Sequence, residues 1–493
     1  MASCFATVVL PVLLSMTAIL YYNAVELSSL QENVAAVVWD PPEKFTEDVA
    51  HRLAESLKFK TVSGIDYKNH LRDEGEMLKL HDFLLRCYPF VHKELTKETV
   101  SDFSLLYTWH GSDRSLKPML LMSHLDVVPA DEDTGEWTYG PFEGKIAEGF
   151  IWGRGALDVK SGVIFILEAV ETLLKEGFKP KRSVYLAFGH DEESGSSGAN
   201  QIAATLKNAG VLLEFVLDEG GFVSSEGISG LIKDPVALVG VAEKGYIDVE
   251  LTANITGGHS SVPSLKGTSI TALSKAIDNI HRKLPSTTLS GATKAMFRHI
   301  APECPNLFKR MVLANLWMFG PLMKLTMGMT SEGSAMLRST YTPTIIHGGV
   351  KRNVIPKIAT AVVNIRIMPG ESVKSVLEHL SEVVADSRIT IAPIAVPIEP
   401  SAVSPSNGTS WQWISTSIHE TLSPVPIVAP YLVVGLTDSR QYASLTGHIY
   451  RFGPIFLNLK SDLHRIHGID ERIATKAIPP AVHFYRRLIE LAN

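Results

Sequence analysis

The sequence predicts an α/β protein whose catalytic domain is a mainly parallel β-sheet with helices on both faces. Short apolar runs, which indicate buried strands, alternate with segments in which apolar residues recur at helical spacing. Several of these runs end directly before a histidine or a carboxylate. A second, shorter α/β pattern interrupts the first, so we expect a smaller α+β domain inserted into the catalytic domain.

Length and composition limit the classes of function. The chain has 493 residues, enough for two or three domains. Apolar residues make up 45% and charged residues 20%, as in an ordinary globular protein with a large core. The net charge is −6 and no basic stretch or phosphate-binding loop occurs. We therefore expect no nucleic-acid partner.

Residues 1–25 differ from the rest of the chain. They are almost entirely apolar, and no charged residue precedes Glu26. This pattern is typical of a signal peptide, and the alternatives are a signal anchor or a buried N-terminal helix. We expect a secreted protein, or else one anchored to a membrane of the secretory pathway. The sequons at Asn254 and Asn407 are compatible with that route.

Cys87 and Cys304 either form one disulfide or stay free.

The catalytic domain is predicted over 40–240 and 397–493, in two parts. Helical spacing of apolar residues predicts helices over 45–57, 162–176 and 199–209. Apolar runs predict strands over 118–123, 183–188 and 214–217. Because ligand sites of such sheets lie beyond the carboxyl ends of the strands, we expect His124, Glu193 and Glu219 to meet there.

The inserted domain is predicted over 241–396. Its strands are expected over 247–255 and 361–368 and its helices over 268–284 and 373–384. Residues 296–336 hold seven of the 13 methionines among other apolar residues. One interpretation is that this Met-rich segment packs in the core or in a dimer interface. The other is that its flexible side chains form a binding site for an apolar ligand.

The most informative feature is an ordered set of metal-ligand residues. Imidazole nitrogens and carboxylate oxygens are the usual ligands of catalytic zinc. A paired site also needs one bridging carboxylate and one free carboxylate that handles protons. The candidate ligands are His124, Asp158, Glu193, Glu219 and His467.

Further residues of this set suggest distinct tasks. Asp158 lies in a glycine-rich loop and is the natural bridge between two metals. Glu192, next to Glu193, can take a proton from water and deliver it to a leaving nitrogen. Asp126 is placed to hold the His124 imidazole in one tautomer. Each residue alone is weak evidence, since such groups are often structural or solvated.

Taken together, the motifs resemble those of the zinc-dependent aminoacylase and carboxypeptidase family, the M-twenty metallopeptidases. The resemblance covers nearly the whole chain from about Pro41, in family order. The chain is most similar to the secreted N-fatty-acyl-amino-acid synthase/hydrolases of that family, and also to its vacuolar carboxypeptidases. The matching motifs are Ser-His-Leu-Asp-Val-Val-Pro, Gly-Arg-Gly-Ala-Leu-Asp-Val-Lys-Ser-Gly, Gly-His-Asp-Glu-Glu-Ser-Gly, Val-Leu-Asp-Glu-Gly-Gly, Gly-Gly-His-Ser-Ser-Val-Pro, Asn-Val-Ile-Pro and His-Gly-Ile-Asp-Glu-Arg.

The resemblance implies two Zn²⁺ ions in each subunit. His124 and Glu219 would bind one ion, Glu193 and His467 the other, and Asp158 would bridge them. Asp218 is an alternative to Glu219, because the two residues are adjacent. Glu192 would be the general base.

The resemblance also implies roles for the inserted domain. It would be a lid, often used for dimerisation, and a homodimer is therefore an expected partner state. His259 would stabilise the oxyanion of the scissile carbonyl, from the same or a partner subunit. Asn353 and Arg366 would bind the free carboxylate of the substrate, with Arg440 as a further candidate.

The function expected from these features is a di-zinc amidohydrolase that cleaves, or in reverse forms, the amide bond of N-acyl amino acids. The Met-rich segment could house a fatty-acyl tail, and a lipid substrate makes a lipoprotein or membrane surface a conceivable partner. The alternative is a carboxypeptidase or dipeptidase with the same metal site and a different acyl-side pocket. A non-catalytic binding protein with this fold is disfavoured because all the expected positions are filled.

Overall fold

The structure is a computed structural model that describes residues 10–66, 69–132 and 135–493. Residues 1–9 of the predicted leader lie outside the described residues. The helices are α1 Leu10–Val25, α2 Phe45–Leu57, α3 Glu74–Cys87, α4 Pro89–Glu94, α5 Lys160–Lys175, α6 Ser197–Asn208, α7 Ser269–Arg282, α8 Gly291–Ile300, α9 Leu307–Ala314, α10 Leu316–Met327, α11 Ser331–Leu337, α12 Val373–Val384, α13 Thr409–Thr421 and α14 Ile478–Leu491.

The strands fall into two main sheets and three small ones. They are β1 Ser63–Asp66, β2 Asn69–Leu71, β3 Thr96–Val100, β4 Ser104–Trp109, β5 Met119–His124, β6 Lys145–Ala147, β7 Phe150–Trp152, β8 Val184–Gly189, β9 Phe215–Asp218, β10 Phe222–Ser224, β11 Val236–Glu243, β12 Gly245–Asn254, β13 Gly258–His259, β14 Thr340–Gly348, β15 Val354–Ile355, β16 Ile358–Ile367, β17 Ile389–Pro393, β18 Ile427–Val433, β19 Ile449–Arg451, β20 Phe456–Leu457 and β21 Arg472–Ala474.

A ten-stranded mixed sheet forms the centre of the catalytic domain. Its order is β20-β10-β11-β19-β9-β5-β8-β4-β3, and β18 also pairs with β11. The four central strands β19, β9, β5 and β8 run parallel to one another. Antiparallel pairing occurs at β4 with β8 and at β11 with its neighbours β10 and β19. The predicted α/β class with a largely parallel core is confirmed.

Helices cover both faces of this sheet. Every residue of β5 is buried, because its side chains alternate between two apolar layers. Met119 and Leu121 pack in the layer that contains α2, α5 and α14. Leu120 and Met122 pack in the opposite layer, which contains α6. Burial on both faces explains why the sequence of β5 is apolar without alternation.

A four-stranded antiparallel sheet forms a smaller domain. Its order is β14-β16-β12-β17. One face is buried under α7 and α12 around Ile247, Val249 and Leu251. The other face carries partly exposed polar side chains, because β12 alternates buried and half-buried positions. The chain enters this domain from β11 into β12, and on its return the Ser401 N–H donates to the Glu243 carbonyl.

The Met-rich segment does not belong to the core of the small sheet. Its helices α8 to α11 pack on the strands of the large sheet, in a cluster with Val236, Leu238 and Ala429. Met296 is buried there, and Met323, Met327 and Met336 pack against the cluster. The insertion therefore covers an edge region of the catalytic sheet. The sequence pattern did not show this, since periodicity does not identify the surface on which an apolar helix packs.

The N-terminal helix α1 lies against this insertion. Leu20 and Ala24 are buried, whereas most other α1 side chains are exposed. The buried Asn315 side chain donates to the Leu20 carbonyl at 3.0 Å. Among the described residues, no helix is both long and apolar enough to cross a membrane.

Cys87 and Cys304 are both free.

Candidate active site

The predicted metal ligands come together where parallel strands end. His124 is the last residue of β5, and Glu219 follows the last residue of β9. Glu193 lies in the loop after β8. Because β9, β5 and β8 are neighbours, their carboxyl ends bring these side chains to one edge of the sheet. His467 reaches the same place from a loop near the C-terminus, with a positive φ of 59°.

Asp158 joins the two halves of this cluster. Its Oδ1 lies 3.1 Å from Nε2 of His124, and its Oδ2 lies 2.9 Å from Nε2 of His467. The His124 Nε2 is also 3.2 Å from Oε1 of Glu219. The His467 Nε2 is 3.1 Å from Oε1 of Glu193. Each imidazole thus shares Asp158 and has one glutamate of its own.

The donor atoms are close enough to hold cations. The ligand atoms of His124, Asp158 and Glu219 lie within 4.8 Å of one another. Those of Asp158, Glu193 and His467 form a second group of the same size. Nitrogen and oxygen donors in groups of three, with room for further ligands, suit catalytic zinc. The residues present therefore fit two zinc ions with Asp158 between them.

The charges of the cluster agree with a cation site. Burial raises the pKa of Glu219 to about 8, against the lowering effect of His124. Burial alone would raise the pKa of Asp158, but hydrogen bonds from His124 and His467 hold it below its usual range. Hydrogen bonds to Asp158 and Glu193 raise the pKa of His467 to about 10. These carboxylates therefore favour positive charge where the two histidines meet them.

Glu192 lies beside the cluster and is not part of either three-residue ligand group around Asp158. Its carboxylate and that of Glu193 come within 4.8 Å of the His124 ring. Burial raises the pKa of Glu192 well above its ordinary value, against the lowering effect of His124. A carboxyl group beside a metal site can accept a proton from water and return it to a leaving group.

Asp126 holds the loop that carries the glutamate pair. Its Oδ1 accepts the backbone N–H of Glu192 and its Oδ2 accepts that of Glu193, each at 3.1 Å. Its Oδ1 is also 3.3 Å from Nδ1 of His124, while its backbone carbonyl lies 3.0 Å from the same nitrogen. Asp126 is completely buried. The predicted contact with His124 is present, and the contact with the loop is additional.

Asp218 and Glu219 point in different directions. The Asp218 carboxylate accepts backbone N–H groups, from Glu219 at 2.9 Å and from Ser439 at 2.8 Å. Only Glu219 contacts His124 and joins a group of potential metal ligands among the described residues. The geometry therefore favours Glu219 of the two adjacent carboxylates.

Sequence reasoning missed two buried carboxylates that support the site. Glu471 accepts the backbone N–H groups of Leu157 and Asp158 and pairs with Arg154. Asp191 accepts the backbone N–H groups of Ser197 and Gly198 at the start of α6. Both belong to motifs singled out in the sequence, but local pattern does not show which backbone groups a carboxylate will reach.

Three candidate residues, His259, Asn353 and Arg366, have their contacts within the small domain. His259 is exposed, and its Nδ1 is 2.7 Å from the Ser261 hydroxyl. Asn353 lies next to it, because its carbonyl accepts the Ser260 N–H. Arg366 stacks over the Tyr246 ring, 4.8 Å from its centre, on the half-open face of the small sheet. In the described part of the chain, no hydrogen bond joins these three residues to the cluster.

Arg440 has structural partners in the catalytic domain. Its guanidinium donates to the Thr437 carbonyl and, at 2.6 Å, to the Ser196 hydroxyl. It lies near the buried Asp438, whose pKa is raised to about 7 by burial against the lowering effect of Arg440. These contacts occupy part of the guanidinium that was a candidate for substrate binding.

Comparison with known proteins identifies the family. The model of Peptidase family M20/M25/M40 matches residues 120–491, three quarters of the chain. The chain belongs to this peptidase family. The match includes every residue of the candidate metal cluster, and the resemblance inferred from the motifs is confirmed. The chain is accordingly a hydrolase that acts on amide bonds, in a family that is generally metal-dependent and usually uses zinc.

Relatives within the family match over almost their full length. A probable carboxypeptidase S-like 2 from Dictyostelium discoideum is 39% identical over 97% of this chain and 92% of its own. An N-fatty-acyl-amino acid synthase/hydrolase from Homo sapiens is 37% identical over 92% of this chain and 90% of its own. The sequence similarity therefore extends to two differently named groups of the family.

Solved structures show the same fold. A metallo-carboxypeptidase of the M20 family from Sulfolobus solfataricus superposes with a TM-score of 0.64 at 18% identity, over 90% of this chain and 99% of its own. Human carnosine dipeptidase 1 gives a TM-score of 0.60 at 14% identity, over 92% of this chain and 100% of its own. The arrangement of a catalytic domain with a smaller inserted domain is thus shared with known structures.

Proposed function

We propose that this chain hydrolyses N-fatty-acyl amino acids to a fatty acid and a free amino acid, and also catalyses the reverse condensation. The observation that carries the amide chemistry is the bridging position of Asp158 between His124 and His467, with Glu192 beside them. The acyl class rests on the similarity to N-fatty-acyl-amino acid synthase/hydrolases from several vertebrates, at 36 to 38% identity.

In this proposal two zinc ions occupy the cluster. His124 and Glu219 would hold one ion and Glu193 and His467 the other, and Asp158 would be a ligand of both, because its two oxygens lie beside the two imidazoles. When bound, the ions supply Lewis-acid chemistry at the amide carbonyl. Glu471 keeps the Asp158 backbone in place through its hydrogen bonds to the preceding loop.

Glu192 moves the proton in the proposed reaction. It takes a proton from the attacking water as the new C–O bond forms, and delivers it to the nitrogen as the C–N bond breaks. Burial raises its pKa, which makes the carboxylate a stronger base toward the water proton. Asp126 keeps Glu192 in position by accepting its backbone N–H. The products are one carboxylic acid and one amino acid, so the atoms balance with one water consumed.

The inserted domain supplies the remaining groups of the proposal. Arg366 offers a planar guanidinium for the free carboxylate of the substrate, with Asn353 as a second contact. His259 stabilises the oxyanion of the scissile carbonyl, either after the lid closes or from a partner subunit.

We propose a homodimer through this domain, since β14 is an edge strand with exposed Ile345 and Ile346. We further propose secretion, with the exposed sequon residues Asn254 and Asn407 as glycosylation sites.

A carboxypeptidase activity is the second candidate. The Dictyostelium discoideum carboxypeptidase S-like relative is as similar to this chain as the synthase/hydrolases are. Both reactions use a free substrate carboxylate and an amide bond, so the metal cluster does not discriminate between them.

A matched substrate series tests the proposal. N-oleoyl-phenylalanine, N-acetyl-phenylalanine and leucyl-phenylalanine share the same amino-acid half and differ only on the acyl side. We expect the zinc-loaded protein to show the highest kcat/KM with the oleoyl compound. A higher kcat/KM with leucyl-phenylalanine would overturn the lipid assignment and support the carboxypeptidase. No turnover of any member of the series would contradict both.

A further inference from the structure

Arg366 lacks an ionic partner on the open face of the small sheet. Its side chain is half-buried near the end of β16. In the part of the chain that the structure describes, no group forms a hydrogen bond or an ion pair with its guanidinium, which instead stacks 4.8 Å from the centre of the Tyr246 ring. A half-buried charge without a partner is unfavourable, so an anion that binds there would be stabilised.

Four side chains form a square on this face of the sheet. Strands β12 and β16 are antiparallel, and their register places Tyr246 opposite Arg366 and Asp248 opposite Asn364. Residues two apart on a strand share a face, and all four side chains are half-buried. The Tyr246 hydroxyl donates to Oδ2 of Asp248 at 2.5 Å, and the Asn364 amide donates to Oδ1 at 2.8 Å. Asp248 therefore fixes the ring on which the guanidinium stacks.

The charged groups around Arg366 leave its guanidinium available. Asp248 attracts Arg366 electrostatically, but both of its oxygens already accept hydrogen bonds from the square. Glu371 accepts from the Ser339 hydroxyl and acts on the buried Lys244. Lys244 in turn interacts electrostatically with Arg366 and adds positive charge to this region. The local charges therefore favour an anion from outside the chain.

Tyr246 and Arg366 lie at the end of the small sheet that adjoins the catalytic domain. Strand β11 of the large sheet ends at Glu243, and β12 begins two residues later. Tyr246 also exchanges two backbone hydrogen bonds of 2.8 Å with Ile398, on the segment that returns to the catalytic domain. On the other side of Arg366, β14 places the short side chain of Thr340 opposite it. The stacked pair is therefore next to the junction of the two domains, with no bulky group of β14 opposite Arg366.

We propose that Tyr246, anchored by Asp248, is a positioning residue that makes the enzyme selective for substrates with a free carboxylate. The inference rests on the proposed function, in which Arg366 binds that carboxylate, and it adds the residue that orients the guanidinium. A guanidinium stacked on an aromatic ring keeps its in-plane N–H groups free for two parallel bonds to a carboxylate. Because the ring already fixes the plane of the guanidinium, less conformational entropy is lost when the substrate binds.

The test compares N-oleoyl-phenylalanine with its C-terminal amide, using the zinc-loaded full chain and the release of oleate. The measured quantity is the ratio of kcat/KM for the acid to kcat/KM for the amide. Tyr246→Leu removes the ring, so we expect this ratio to fall about 2- to 30-fold, through a higher KM for the acid and with kcat within about twofold. A general loss of folding or of metal would lower both values of kcat/KM and leave the ratio unchanged.

Two control variants separate the ring from other effects. Tyr246→Phe keeps the ring and should hold the ratio within about threefold of that of the unchanged protein. Thr360→Leu places the same new side chain on the same face of β16, near the other end of the strand, and should leave the ratio unchanged.

Arg366→Ala distinguishes a failure of this inference from a failure of the proposed function. If Arg366→Ala lowers the acid-to-amide ratio and Tyr246→Leu does not, the carboxylate site remains and the positioning role of Tyr246 is overturned. If Arg366→Ala leaves the ratio unchanged, the carboxylate assignment itself is wrong, and the inference about Tyr246 is wrong with it. The ratio does not depend on the acyl group, so leucyl-phenylalanine and its amide replace the oleoyl pair if the dipeptide is the better substrate.

Discussion

The Asp126 carboxylate accepts the backbone N–H of Glu192, with 3.1 Å between donor and acceptor. The second oxygen of the same carboxylate accepts the N–H of Glu193 at the same distance. One buried side chain therefore positions both the proposed proton carrier and a proposed metal ligand. Since it also contacts His124, it connects the carboxyl ends of β5 and β8.

Replacement of Asp126 by Asn should weaken the hydrogen bonds that hold Glu192 and Glu193 in position. The amide keeps the size of the side chain, but its NH₂ group cannot accept a hydrogen bond from Glu192 or Glu193. We expect zinc affinity to fall about 10- to 100-fold, as for other groups that orient metal ligands. Zinc titration against a competing chelator measures this. Unchanged zinc affinity and unchanged kcat would contradict the assigned role.

Replacement of Glu192 by Gln should remove proton transfer and leave the metal cluster intact. We expect kcat to fall about 10²- to 10⁴-fold with bound zinc unchanged. Steady-state kinetics and metal analysis of the same preparation test both parts. Glu98→Gln is the matched control, because Glu98 is exposed on β3. Full activity of the Glu192 variant would exclude Glu192 as the general base.

Metal content should separate the two adjacent carboxylates. Glu219→Gln removes the negative charge of a carboxylate whose Oε1 lies 3.2 Å from His124 Nε2, so we expect about one zinc ion fewer in each subunit. Asp218→Asn should retain both ions, because Asp218 accepts from Ser439 and Glu219 backbone groups instead. Elemental analysis after dialysis measures the two stoichiometries. Loss of zinc from the Asp218 variant alone would reverse the assignment.

His259 should act on the transition state. The variant His259→Ala is expected to lower kcat about 10²- to 10³-fold, the usual cost of a lost oxyanion contact. If the residue comes from a partner subunit, hybrid dimers of His259→Ala and Glu192→Gln chains should recover part of the activity, since one of their two sites is complete. Differently tagged, co-expressed chains provide these hybrids. A monomeric protein by light scattering would exclude the proposed dimer.

Two buried histidines, His81 and His483, should destabilise the folded state below pH 6.5. Burial lowers the pKa of His81 and of His483 to about 4. At these two residues the unfolded state binds more protons than the folded state between pH 6.5 and 4, so their contribution to the free energy of unfolding falls as the pH falls. Each residue contributes on the order of 1–3 kcal/mol by pH 4.

Urea unfolding at pH 7 and at pH 5 measures this loss. His81→Leu should lose less stability between the two pH values than the unchanged protein. His51→Leu is the control, because the His51 side chain is 65% exposed and has no burial to relieve. An identical loss in the His81 variant would show that other groups govern the pH dependence.

Local elements were largely predictable. The predicted helices over 45–57 and 373–384 have the bounds of α2 and α12. The predicted strands over 118–123 and 183–188 each begin and end about one residue before β5 and β8. Apolar spacing determines these elements because each buries one face or lies entirely in the core. The meeting of His124, Glu193 and Glu219 was predictable for a related reason: neighbouring parallel strands end on one side of a sheet.

The sequence by itself therefore determined the α/β class, the family and the identity of the candidate ligands, since these depend on local pattern and on ordered motifs. The tertiary structure decided which atoms meet. It placed His467 against Asp158 across 309 positions of the chain, turned Glu219 inward and Asp218 away, and packed the Met-rich helices on the catalytic sheet. Such contacts depend on side-chain direction and on packing between distant segments, which no local spacing records.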